Sequence, residues 1–150
     1  MELENYATEL EKHIENYEVI NTGVSAKSIG WHIDHVLRVN NSVSKAMKES
    51  DPSKYSYSFN LTRSYIFTRN SIPRGRARAP KAVVATEKIE KSELLRRLKD
   101  NRAYMQSLSS LPPKSNFKHP YFGVLNLKQT IKFMRIHTEH HLKIMRDILK

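Results

Sequence analysis

"NLKQTIKFMRIHTEHHLKIMRDILK", Asn126 to Lys150, closes the chain and decides how it folds. Its apolar residues Leu127, Ile131, Met134, Leu142, Met145 and Leu149 recur three, four or eight places apart. That is the period of one face of an α-helix. Asn126 can cap the start, and Gln129 three places on completes a capping-box-like pair. A polar patch, "HTEHH", interrupts the stripe and holds three of the chain's seven histidines. His137 and His141 are four residues apart, so on a helix they lie one above the other with Cβ atoms about 6 Å apart. Two imidazoles so placed can hold one metal ion, and a polar patch on a terminal helix has the same spacing. His140 points about 60° away from His137.

The same helical period extends backwards through the chain. Leu3, Tyr6, Leu10, Ile14 and Tyr17 predict an amphipathic helix over 2–19, stopped by "NTG" at 21–23. Ser25 or Ser28 can cap a second helix running to about Ser50 through Ile29, Ile33, Val36, Val43 and Met47. "DPSKYS" breaks the chain, and Asn60 can cap a shorter helix over 61–71. A fourth spans about 87–108 through Ile89, Leu94, Leu98, Met105 and Leu108. Two long loops, "SIPRGRARAPK" and the three-proline "LPPKSNFKHPYFG", separate these elements. No stretch alternates as a strand should, and "KAVVAT" reads as extended loop. The expectation is an all-α bundle of four long helices and a short extra one, forming a single domain over 1–150.

Composition narrows the chemistry. The 150 residues carry 26 Lys and Arg against 15 Asp and Glu, a formal charge of +11, with no cysteine. Disulfides and thiolate metal sites are excluded, and any metal must be held by His, Asp, Glu or water. The acidic, amphipathic N-terminus does not read as a signal peptide. No apolar run nears the roughly 18–20 residues that span a bilayer, so a cytoplasmic protein without membrane association is expected. The basic balance suits an anionic small ligand or nucleic acid. Helix-turn-helix and zinc-finger signatures are missing, which makes nucleic acid the less expected partner.

A second pair of histidines, His32 and His35, sits in "WHIDHV" on the second helix. The helical projection puts His32 within the apolar arc of Ile29, Val36 and Val43, and His35 at its edge beside Val39. A histidine on an inner bundle face is costly without a partner. Facing the last helix, either one would complete a three-histidine set in the bundle core.

"SIGWHIDHVLRV", "IPRGRARAPK", "HPYFGVLNLKQ" and "IHTEHHLKIMRDI" together resemble a bacterial subgroup of the DinB-like (YfiT-type) metalloenzyme superfamily. The resemblance implies an up-down four-helix bundle with a short additional helix and two long loops. It implies a divalent metal, zinc or nickel, held by a histidine of the second helix and by the HxxxH of the last. By position these are His35, His137 and His141, through the "WxxxH" match, with His32 as rival. Family members include thiol-dependent transferases, so a metal-dependent hydrolase or thiol transferase acting on a small anionic substrate is expected, with a homodimer as an assembly. Three histidines leave a coordination position open, which marks a catalytic rather than a structural ion. No general base stands out. A basic module for nucleic acid or another polyanion, or an inactive family member, are the alternative readings.

Arg74, Arg76 and Arg78, with Arg69 and Lys81 nearby, can form a fork-rich cradle for carboxylate or phosphate. His119 precedes Pro120 and is biased to extended backbone, which makes it a candidate substrate-side group, while Gly123 suits a turn of positive φ. Trp31, the sole tryptophan, is expected in the core.

Overall fold

Three helices of this chain start where a short polar side chain takes up a free N–H group. The computed structural model describes residues 3–75 and 88–150. It contains α1 (Leu3–Lys12), α2 (Ile29–Glu49), α3 (Leu61–Arg69), α4 (Lys91–Leu108) and α5 (Leu127–Ile148). Ser28 Oγ accepts from Trp31 N–H at 3.2 Å to open α2, and Asn60 Oδ1 accepts from Arg63 N–H at 2.8 Å to open α3. At α5 the capping box is complete: Asn126 Oδ1 accepts from Gln129 N–H at 3.0 Å and Gln129 Oε1 from Asn126 N–H at 3.1 Å. Among the described residues the protein is mostly helical, and no helix is long and apolar enough to cross a membrane.

The first helix is shorter than its periodicity predicts. It ends at Lys12, and a 3-10 turn at Ile14–Asn16 follows. The carbonyls of Tyr17 and Val19 instead accept from Gly30 N–H at 2.7 Å and Ile29 N–H at 3.0 Å, at the start of α2. A Cβ on Gly30 would lie 2.8 Å from the Tyr17 oxygen, so only glycine permits this approach. The fourth helix begins at Lys91; Glu87 and "KAVVAT" lie outside the described residues.

The expected loop over 111–123 forms, with the three residues after it, a β-hairpin. Strand β1 (Asn116–His119) pairs antiparallel with β2 (Gly123–Asn126), Phe117 opposite Leu125 and His119 opposite Gly123. Four-residue strands are too short for alternation to be legible in sequence. The turn is closed by His119, whose Nδ1 accepts from the N–H groups of Tyr121 and Phe122, both at 3.1 Å, while Gly123 takes φ +71°.

Helix α2 packs against α4 and α5, and α1 packs against the same two. Two apolar clusters fill the interior. One joins α1 to Ile29–Leu37 of α2, Leu94 and Leu98 of α4, and Leu142–Ile148 of α5. The other joins Val39–Met47, Ile66, Met105, Leu108, the hairpin and Phe133–Ile136. On α5 the clusters change over at the histidines, and on α2 they change over just after His35, between Leu37 and Val39.

Arg63 ties α3 to the hairpin. Only 3% exposed, it donates to the carbonyls of Phe122 (3.1 Å), Val124 (3.4 Å) and Ser58, beneath the ring of Tyr57. A buried guanidinium is tolerated when carbonyl oxygens satisfy its donors. Arg63→Ala leaves those carbonyls unpaired, at a cost of about 3 kcal/mol. A thermal melt should show a drop of roughly 6–12 °C; an unchanged melting temperature would contradict this account of the anchor.

Candidate metal centre

The site is built from two helix faces. On α2, His32 and His35 lie three residues apart, one turn below the Ser28 cap. On α5, His137 and His141 lie four apart. Because α2 and α5 pack together, His35, His137 and His141 each offer a ring nitrogen, all within 4.8 Å of one another. His35 Nε2 and His137 Nε2 are 3.2 Å apart. Two nitrogens bound about 2.0–2.1 Å from one tetrahedral ion would stand about 3.3 Å apart. His35 and His141 are buried; His137 is of intermediate exposure, with its Nδ1 shut off from solvent and unpaired among the described residues.

Burial also sets the charge state. It holds the His137 and His141 imidazoles well below the ordinary histidine range, and the neighbouring histidines reinforce the shift. The rings are therefore neutral at pH 7, with lone pairs available, as metal binding requires. Among the described residues no carboxylate joins the three rings: Glu139 pairs with Arg146 at 3.0 Å, and buried Asp34 pairs with Arg38 at 2.6 Å and Arg97 at 3.0 Å. This donor set fits a borderline divalent ion that prefers imidazole, and these three residues can hold one.

His32, which the projection made the rival of His35, has a different place. Its Nδ1 lies 2.9 Å from His141 Nδ1, and its Nε2 lies 3.0 Å from Ser25 Oγ. Burial lowers its pKa to about 4, with smaller effects from His35, His140 and Arg74. Ser25, one of two candidate caps for α2, thus binds the imidazole while Ser28 caps the helix.

Trp31 belongs to neither apolar cluster. Half-buried, it stacks on the His35 ring at 5.1 Å and 8°, and meets the His32 ring edge-on at 5.2 Å. The "WHIDH" pattern contained this neighbour, but three rings brought together from consecutive turns need the packed helix to be seen.

The remaining candidates are spread around this centre. His119 stacks on Phe122 at 4.2 Å and meets Phe133 at 4.6 Å, and Phe133 in turn lies 5.5 Å from the His137 ring. Burial lowers the His119 pKa to about 4. It is one aromatic ring removed from the cluster, with its Nδ1 committed to the turn. Arg74 pairs with Asp147 at 2.7 Å and lines a groove of about 80 Å³ with Asn70, Ile72, His140 and Lys143. His140 meets the His141 ring edge-on at 5.1 Å and hydrogen-bonds the backbone of Ile72. Arg76, Arg78 and Lys81 lie outside the described residues. No family model, curated protein or solved structure matches this chain.

Proposed function

We propose that this protein is a divalent-metal enzyme with a DinB-like, up-down four-helix bundle, and that His35, His137 and His141 are its metal ligands. The ring of contacts α1–α4–α2–α5 supports the bundle. The observation that carries the metal reading is the convergence of three histidine nitrogens, from two helices far apart in sequence, within 4.8 Å. A divalent ion held by three imidazoles is a Lewis acid with a coordination position left for water or substrate. Zinc or nickel fits the donors.

The chain's own residues do the positioning. With His141 Nδ1 taken by His32, its Nε2 is left for the ion. In that state His141 Nδ1–H donates to His32 Nδ1, and His32 Nε2–H donates to Ser25 Oγ. Such partners fix the tautomer and orientation of a ligand ring. Trp31 holds His35 by stacking. Arg74, which lines the groove beside His140, would recognise a small anionic substrate, for hydrolysis or thiol transfer, and His119 would act from behind Phe133.

Elemental analysis of protein purified without a histidine tag tests this. About one zinc or nickel per chain is expected. A metal-free protein that shows no thermal shift on adding either ion would overturn the reading.

A further inference from the structure

The charges of this chain are segregated. Segments 52–75 and 101–138 together carry ten lysines and arginines and not one aspartate or glutamate. Every carboxylate lies in 1–51, 87–100 or 139–150. The fold brings much of the two acid-free segments to one end, because α3, the hairpin, the last turns of α4 and the first turns of α5 share the second apolar cluster; Arg74 and Arg102 instead pair with Asp147 and Glu11 outside it, and Arg63 is buried. Asp51, Asp100 and Glu139 border these segments in sequence, and Asp51 is turned onto Ser53 with Lys54 3.9 Å away.

That same end displays apolar rings. Tyr57, Phe59, Leu61, Tyr65 and Tyr121 are between 50% and 74% exposed. Scattered exposed apolar residues are ordinary, but a group of five on one surface marks a contact region. These five are held together. Asn60 Nδ2 donates to the Tyr121 carbonyl at 3.1 Å, and Arg63 bonds Ser58 on one side and Phe122 and Val124 on the other. Tyr57 lies over the Arg63 guanidinium, and Leu61 and Tyr65 are one helical turn apart. Cations stand among the rings: Arg69 donates to the Tyr65 hydroxyl at 3.3 Å, and Lys132 lies over Phe67 at 5.5 Å.

We propose that this face binds single-stranded nucleic acid, with bases stacking on Tyr57, Phe59, Tyr65 and Tyr121 and phosphates meeting the surrounding lysines and arginines. Exposed aromatic rings beside lysines and arginines are the two parts such binding needs. A duplex hides its base faces, whereas a single strand leaves them free to stack on such rings. The surface is independent of the metal centre, so either assignment stands if the other fails.

The test is fluorescence anisotropy with a labelled oligothymidylate of about 15 nucleotides. The variants Tyr57→Ala, Phe59→Ala and Tyr65→Ala remove exposed rings without changing charge. Each should weaken binding at least about fivefold while leaving the slope of log K against log salt unchanged. Lys132→Ala should instead reduce that slope by about one. Ring variants that bind like the wild type would overturn the proposal, because only the general attraction of a +11 chain would remain. Preference for a duplex of equal length, or capture by phosphatidylserine vesicles without oligonucleotide binding at the same ionic strength, would also overturn it.

Discussion

His137→Ala and His141→Ala are each expected to strip the protein of its metal, weakening affinity by well over 100-fold. Losing a group that merely supports a ligand costs about 10–100-fold, and losing the ligand itself costs more. His35→Ala should behave the same way. His32→Ala should keep an ion and bind it about 10–100-fold more weakly, because it frees His141 Nδ1 without removing a ligand. Competition with a chromophoric chelator measures these constants. Trp31 provides a second readout: its ring stacks on His35, so nickel should quench its fluorescence in the wild type and not in His35→Ala. If His35→Ala retains the ion and His32→Ala loses it, the ligand on α2 is misassigned.

Acid should destabilise the metal-free protein well above the range in which carboxylates titrate. His32 and His119 have folded-state pKa values of about 4, against about 6.5 when unfolded. Between these values the unfolded chain binds more protons, so stability rises with pH across that window. The contribution is complete above about 6.5 and is lost as pH falls towards 4. Each group contributes up to about 1.4 kcal/mol per pH unit there, less for His119, which is partly exposed. His137 and His141 are lowered too and act with the same sign. Between pH 7.5 and pH 5 the melting temperature should fall by roughly 10 °C. His119→Asn, which keeps an acceptor for the turn, should make that fall smaller. A flat profile would show that these imidazoles are not held neutral. Acid should also release the ion, since protons and metal compete for the same lone pairs.

Helix periodicity in this chain is a local property, and the sequence alone determined most of it. The stripes of Ile29–Met47 and Leu127–Leu149 located α2 and α5, and the caps at Ser28, Asn60 and Asn126 lie within three residues of the N–H groups they take up. The spacing of His137 and His141 was likewise legible, because one turn of helix fixes it. The N-terminal pattern over-extended the first helix, because the carbonyls of Tyr17 and Val19 are taken by a segment ten or more residues away. The hairpin escaped notice because its register depends on Leu125 being buried among α2, α3 and α5 rather than on any pattern four residues long.

The helical projection left His32 and His35 level, the resemblance favoured His35, and only the tertiary structure shows what each ring meets. Both sit on nearly the same face of α2, and projection onto a wheel cannot say which meets the last helix at which height. Packing of α2 on α5 sets His35 Nε2 against His137 Nε2 and turns His32 onto the far nitrogen of His141. Neither distance exists until residues more than a hundred apart in the chain are brought side by side. Local sequence set which side chains were available on each helix face; long-range packing decided which of their atoms meet.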